Sequence, residues 1–246
     1  MEIYKETSSL GRLLIKQVDK ELAKELIVKN HYSHKWNNPS FGLYNFGIFH
    51  AEEPDRCLGV AAYGYVKNPN CKLFTPPENN PKAWMCELNR MWISDELGRN
   101  AESILISTSL KMLQRLDPNI IAVQSFADGR LGCGTIYKAA NFRYYGYHWT
   151  RFLYNRRSGE ISHDQNFTNT TSKSVYLRHN VSYLLGDYET FKVKTYRYIY
   201  PFVKNFKCRL KQKPYPTYEK GEIKEEWKRD RAKIVERCIG MLSSMK

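Results

Sequence analysis

IIAVQSFADGRLGCGTIYKAANFRYYGY, residues 120–147, runs from a buried strand through a turn and a short helix into a second strand. Ile120 to Gln124 is a short apolar run that stops at Ser125-Phe126-Ala127-Asp128-Gly129. Thr135 to Asn141 predicts a short helix, and Phe142 to Tyr154 an aromatic-rich strand. Upstream, Ala83 to Ile93 predicts a strand, and Gly98-Arg99-Asn100 precedes a long amphipathic helix. Ile104, Leu105, Leu110, Met112, Leu113 and Leu116 form its apolar stripe, and Asp117-Pro118 ends it. Nearer the N-terminus, Leu13 to Val18 predicts a strand. Asp19 then caps a helix carrying Leu22, Ala23, Leu26 and Ile27, which runs into Asn30-His31-Tyr32-Ser33-His34. Leu43 to Phe49 and Leu58 to Val66, separated by AEEPDR, predict an antiparallel hairpin. Lys67 to Pro81 holds four of the ten prolines and is expected to be a loop.

Composition narrows the partners. The 246 residues are 42% hydrophobic, enough for a sizeable core, and carry a formal net charge of +14. Such a balance points to an anionic partner, nucleic acid before a membrane surface, for which neither a basic amphipathic helix nor a lipidation motif is evident. The six cysteines form no C-x-x-C pair and the N-terminus lacks an apolar signal stretch, so free thiols in a cytoplasmic protein are expected. No apolar run reaches the ~18 residues of a membrane span. Between Phe191 and Lys213 stand eight basic residues and no acidic one. Lys192, Lys194, Arg197, Lys204, Lys207 and Arg209 are the candidate DNA contacts. They are interleaved with Tyr196, Tyr198, Tyr200, Phe202 and Phe206, which suits phosphate contact plus base stacking.

Strand, helix, three antiparallel strands, helix, strand, helix, strand is the order of the GNAT acetyltransferase fold. The expected class is therefore α/β (α+β), with a mixed, mostly antiparallel central sheet flanked by helices. The expected division is a catalytic core over 1–160, a basic aromatic-rich extension over 161–216 that completes the sheet, and a charged terminal helix over 217–246. Ile223, Trp227, Ile234 and Val235 would form the inner face of that helix, which suits docking onto the core or a homodimer. Ligands of open α/β sheets bind beyond the carboxyl ends of the strands, which directs attention to Met91–Ser103 and Ser125–Tyr137.

SDELGRNAES, residues 94–103, joins a strand to the start of a long helix, where unpaired N–H groups favour an anion. Arg90, Arg99, Asn100, Ser103 and Ser125 are the candidate cofactor ligands. Acetyltransferases of this fold place the pyrophosphate of coenzyme A at that point on a glycine-rich loop. Here only Gly98 is present, so an ordinary helix start is the competing reading. In such enzymes a tyrosine on the following short helix acts as general acid towards the leaving thiolate, a part Tyr137 would take.

ELNRMWISDELGRNAES (87–103), QSFADGRLGCGTIYKAANFRYYG (124–146), TYRYIYPF (195–202) and the later PYP (214–216) resemble, in order, the Mom family of bacteriophage DNA-modification proteins. His31-Tyr32-Ser33 fits that family's N-terminal motif. The resemblance implies a GNAT-derived fold that modifies the N6 amine of adenine in DNA with a carbamoylmethyl (acetamido) group, shielding phage DNA from restriction in the host cytoplasm. Cys133 departs from the family pattern, which carries a histidine there.

The implied partners are double-stranded DNA and a small-molecule or acyl-carrier donor, without a membrane. Acetyl-CoA follows from the fold. A glycyl-type donor follows equally from the nitrogen in the added group. Adenine N6 is a poor nucleophile, so a proton must leave as the bond forms. Asp128, which matches the family's SFAD aspartate, is the first candidate for acid–base or orienting work, though an aspartate past a strand also caps turns. Tyr32 and His31 are candidates to carry a proton or position a ligand. His31 and Asp128 are also ligand types for iron or zinc, without a recognised metal spacing, and His31 with His34 would share a helix face if the helix continued. Strand alternation places Glu87, Asn89 and Met91 opposite Leu88, Arg90 and Trp92. It leaves Arg90 to anchor an acidic part of donor or substrate rather than to pair with Glu87. Two other readings share these residues: a GNAT acyltransferase acting on a protein, aminoacyl-tRNA or small amine, and a non-catalytic DNA-binding protein.

Overall fold

The computed structural model describes residues 1–36, 39–66, 73–217 and 224–244. These fall into two compact units. The first comprises Met1–Phe126, Gly134–Gly146 and Arg197–Thr217; the second comprises Ala127–Cys133, Tyr147–Tyr196 and Tyr218–Lys246. The expected linear division at 160 and 216 does not describe this arrangement, because three strands each run from one unit into the other.

In the first unit β1 (Glu2–Thr7), β2 (Gly11–Gln17), β3 (Tyr44–His50), β4 (Gly59–Tyr65) and β5 (Trp84–Ile93) pair antiparallel in sequence order. After β5 come β6 (Ile120–Asp128), β9 (Tyr188–Pro201) and β7 (Arg143–Asn155). Helix α1 (Lys20–Asn30) follows β2, α2 (Ala101–Leu116) links β5 to β6 in parallel, and α3 (Thr135–Ala139) leads into β7. From β2 onward this is the expected element order, in a mixed α/β fold with a mostly antiparallel sheet. The apolar pattern of the sequence does not announce β1, because its residues are alternately exposed and half-buried. The strand beginning at Ile120 does not stop at Gln124 but continues to Asp128.

Burial explains why these elements hold. Leu105, Ile106, Leu110, Met112 and Leu113 of α2 are buried, as are Leu13, Ile15, Phe46, Ile48, Val60 and Tyr63 of the sheet. Each such side chain contributes roughly 1.5–3 kcal/mol. A further cluster joins Met85, Ile121, Ala122, Tyr145 and Ile199 to Phe206 of the C-terminal segment. The five described cysteines are free thiols, and among the described residues no helix is long and apolar enough to cross a membrane.

The second unit holds the later part of β7, β8 (Ile161–His163), α4 (Gln165–Thr168), α5 (Lys173–Leu184), the earlier part of β9, β10 (Lys224–Glu226) and α6 (Arg231–Ser243). Leu153, Phe167, Tyr176, Tyr183, Ile234 and Cys238 form its core. The terminal segment is therefore not one helix. It begins with β10 against β9, and α6 starts only at Arg231 behind the Asp230 cap. Ile234 points inward as expected, but its inward partner one turn on is Cys238, while Val235 is 42% exposed. Ile223 lies outside the described residues.

Gly64, on β4, is the most closely approached glycine among the described residues. A Cβ there would overlap the Ser40 carbonyl oxygen and crowd the Asn89 side-chain oxygen. Gly64→Ala is expected to cost about 1–3 kcal/mol, read as a lower urea midpoint. An unchanged midpoint would show that the Ser40 loop yields freely.

Candidate active site

Helix α1 delivers the first candidates. Asp19 accepts from Leu22 N–H at 2.7 Å, and the helix ends at Asn30, leaving His31 extended at φ −73°, ψ 140°. His34 adopts φ 46° and its Nδ1 lies 3.0 Å from the Val28 carbonyl. His31 and His34 therefore do not share a helix face.

Ser33 N–H donates to His31 Nδ1 at 3.1 Å, and Ser33 Oγ lies 2.8 Å from the same nitrogen. Because Nδ1 must accept, the neutral ring carries its proton on Nε2. Burial, then Arg90, then His34 lower the His31 pKa from 6.5 to about 4. The near-neutral titration expected of this residue is thus displaced, and His31 works as a neutral N–H donor. The Tyr32 ring packs 4.2 Å from it, and Tyr32 is 53% exposed.

The middle of β5 is irregular. Ala62 pairs with Arg90 but Tyr63 pairs with Leu88, so Asn89 is the extra residue of a bulge. Bulges re-aim side chains, and the alternation expected from Glu87 to Trp92 breaks here. Arg90 donates through Nε to the Lys35 carbonyl at 3.3 Å and through Nη1 to its neighbour Asn89 O at 2.7 Å. Its guanidinium lies 4.7 Å over the Phe41 ring. Burial lowers its pKa, opposed by Tyr32 and Glu87, so the buried carboxylate acts on Arg90 after all.

Glu87 was not singled out as a site residue. It is buried, as are Asn89 and Gln124, and it accepts from Gln124 Nε2 at 2.6 Å and Asn89 Nδ2 at 3.4 Å. A carboxylate only accepts, so both amides must turn their NH₂ groups towards it. Their oxygens, Gln124 Oε1 and Asn89 Oδ1, consequently lack hydrogen-bond partners. One signal existed in the sequence: an acid and an amide within otherwise apolar strands.

Ser125 and Tyr137 meet as one unit. Ser125 Oγ lies within hydrogen-bond reach of the Leu88 carbonyl at 3.3 Å and of Tyr137 Oη at 2.9 Å. Tyr137 Oη lies 3.5 Å from the Phe126 carbonyl, and its ring packs 5.5 Å from Phe142 and 5.1 Å from Tyr198. Burial, opposed by Ser125 and reinforced by Tyr32 and Glu87, pushes its pKa up to about 12. Tyr137 therefore keeps its proton at neutral pH. In the first unit, then, His31, Tyr32, Arg90, Glu87 and Tyr137 share one electrostatic neighbourhood.

The loop to α2 follows its own logic. Ser94 caps a 3₁₀ turn over Asp95–Leu97, Gly98 takes φ 67°, and Asn100 caps α2 at φ 73° without a side-chain hydrogen bond. Ser103 Oγ donates to Asn100 O at 2.9 Å, and Arg99 is exposed. The loop lends itself to an anion through backbone N–H groups, although Glu102 already occupies the first turn.

Asp128 lies in the second unit, at the end of β6. Arg130 grips both its oxygens: Nε at 3.0 and 3.1 Å and Nη2 at 2.5 Å, with the Arg130 N–H at 3.0 Å. The Arg130 guanidinium sits 4.4 Å over Phe152. A substrate proton or a metal at Asp128 would have to compete with that fork. His31 Nδ1 is engaged by Ser33, and Asp128 by Arg130. No group of three metal-binding side chains occurs among the described residues.

In the basic run, Tyr196, Tyr198 and Phe206 are buried, so they pack the interior instead of stacking on bases. Lys192 pairs with Glu225 at 2.8 Å, Arg197 lies 5.1 Å over Phe126, and Lys204, Lys207 and Arg209 are exposed.

The lowered His31 pKa has a stability consequence. Above pH 6.5 the imidazole is neutral in both states and contributes no pH dependence. As pH falls from 6.5 towards 4 the unfolded chain binds the proton first, and stability is lost. His31→Asn should flatten that part of the stability profile in urea melts at stepped pH; an unaltered slope would contradict the half-buried, neutral ring.

The Mom protein family matches residues 12–217. The methylcarbamoylase Mom of Escherichia phage Mu is 35% identical over 204 residues, covering 79% of this chain and 80% of that protein. Arabidopsis thaliana NAA60, solved with a bisubstrate analogue, overlaps at TM-score 0.46 and 9% identity over 77% of this chain and 97% of its own. Its acetyl-CoA complex overlaps at 0.47 and 8%, over 77% and 99%. Backbone overlap this low decides nothing about fold or ligand. The sequence matches do decide kinship: they span most of the chain, and the chain belongs to the Mom protein family.

Proposed function

We propose that this chain is a transferase that places a carbamoylmethyl group on adenine N6 in DNA, protecting phage DNA from host restriction. The observation that carries this reading is its kinship over residues 12–217 with a family that includes a methylcarbamoylase. The buried cluster of the first unit supports it. In the reaction an N6–C bond forms, an N6–H bond breaks, and the donor's leaving group departs with its bonding pair. Tyr137, protonated well above neutral pH, is suited to give that leaving group a proton. Arg90 anchors an anionic part of donor or substrate. His31 Nε2–H and the exposed Tyr32 position the base, and Glu87 holds Arg90 and Tyr137 in their charge states. Asp128 acts through Arg130, as a positioning residue.

The donor is an acyl-CoA-type or glycyl-type molecule. Arg99, Asn100, Ser103 and the first N–H groups of α2 would meet its phosphate, and Ser125 would steady Tyr137 against it. The bound donor supplies the carbon that N6 attacks. Lys194, Arg197, Lys204, Lys207 and Arg209 are the cations proposed to meet DNA phosphates, and Lys192 would join them once released from Glu225.

Plasmid DNA from cells expressing the full chain should resist adenine-sensitive restriction enzymes. Tyr137→Phe should lower modification by roughly 10²–10⁴-fold, the usual worth of a positioned acid, with DNA affinity unchanged. Full activity in Tyr137→Phe would remove the tyrosine from the chemistry. Acyl transfer to a protein or small amine without DNA would replace the reading altogether.

A further inference from the structure

One sheet face of the second unit carries aromatic and basic side chains that the cluster does not use. Alternation along β7 places Tyr147, Trp149 and Arg151 on a common face, with Tyr147 48% exposed and Arg151 exposed. On β9, Thr195 Oγ1 meets Thr150 Oγ1 at 2.6 Å, which leaves Lys194 and Lys192 facing the aromatic side. Lys194 Nζ lies 5.0 Å from the Tyr147 ring centre and 5.9 Å from that of Trp149, and Lys192 Nζ 4.6 Å from Trp149. The Tyr147 and Trp149 rings meet edge to face at 5.8 Å and 81°, and Arg151 lies 5.1 Å from the centre of the Trp227 ring.

Tyr147 meets the buried Tyr196 edge to face at 6.1 Å yet keeps 48% of its surface exposed, and Trp149 beside it is half-buried, so core packing uses these rings only in part. The tyrosines of β9 that are explained by it, Tyr196 and Tyr198, are buried. The lysines cover the ring faces only through cation–π contact, which is weak at exposed sites. A phosphate competes for the same ammonium groups, and drawing them aside bares the rings to a base. Alternating cations and open aromatic faces are what a single nucleic-acid strand requires: phosphates pair with the cations and bases stack on the rings. Lys192 is already paired with Glu225 at 2.8 Å, so Lys194 and Arg151 are the cations best able to respond.

We propose that this face binds one strand of DNA, its bases stacked on Tyr147 and Trp149 and its phosphates on Lys194 and Arg151. The inference rests on the DNA-modification reading and adds the surface that holds an unpaired strand.

The test is fluorescence anisotropy of the full chain with a fluorescein-labelled single-stranded oligonucleotide and its duplex, at stepped salt, with adenine modification measured in parallel. The double variant Tyr147→Ala, Trp149→Ala should weaken single-strand binding roughly tenfold or more and duplex binding less. Trp149→Phe, which keeps a stacking face, should stay within a few fold of wild type. Lys194→Glu should weaken binding and reduce its salt dependence. Wild-type affinity in both the double variant and Lys194→Glu overturns the proposal, as does a loss confined to the duplex or a wild-type chain that binds no DNA. Should the double variant fail to fold, Lys194→Glu alone decides. Modification by wild type with unaffected variants sinks the surface and spares the reading. Tight binding without modification does the reverse.

Discussion

Strands β5 and β6 begin as a parallel pair and then part. Their pairing runs from Trp84–Ile120 to Glu87–Gln124 and goes no further, although β5 continues to Ile93 and β6 to Asp128. Past that point each backbone polar group needs another partner, since unpaired buried groups are costly. Ser125 is placed to meet part of this need, its hydroxyl lying 3.3 Å from the Leu88 carbonyl, just beyond the last paired residue. The same hydroxyl lies 2.9 Å from Tyr137 Oη, so one side chain spans β5, β6 and α3. The bulge at Asn89 belongs to the same departure from regular pairing, on the other edge of β5. The residues of the candidate site gather where the sheet stops being a sheet.

The charged groups there are few, with Glu87 and Tyr137 buried and Arg90 and His31 half-buried. Glu87 is the carboxylate, Arg90 the cation, and His31 and Tyr137 are held neutral by burial. Low local dielectric strengthens each interaction, which makes a single substitution reach its neighbours. This is why Glu87, which faces two amides rather than open solvent, bears on both the arginine and the tyrosine. The orphaned oxygens of Asn89 and Gln124 are the cost of fixing that carboxylate.

Much of the first unit was legible in the sequence. The amphipathic stripe of α2, the Asp19 cap and the β3–β4 hairpin each rest on local signals and each forms, although Leu116 at the end of the stripe is exposed and Ile104 only half-buried. His31, Tyr32, Arg90, Ser125 and Tyr137 stand out by residue type, after α1, within β5 and β6 and on α3, and the fold brings them into one neighbourhood. What was not legible is what depends on pairing. The bulge at Asn89 arises from the partner strand β4, so alternation read along β5 alone puts Glu87 and Arg90 in the wrong relation. The Arg130 fork on Asp128 is local, yet an aspartate two residues from an arginine looks the same whether paired or free. Tyr196 and Tyr198 carry an interleaved basic pattern, but only the tertiary fold decides that they face inward. The expected terminal helix forms only from Arg231, for the same reason: β10 pairs with β9 before it, which its own sequence does not announce.

The base that is changed is the decisive quantity. Mass spectrometry of nucleosides from the DNA of cells expressing the full chain measures this directly. The account predicts a deoxyadenosine derivative heavier by one carbamoylmethyl group, absent from cells without the protein. An unaltered nucleoside profile in cells that hold folded, DNA-binding protein would contradict it.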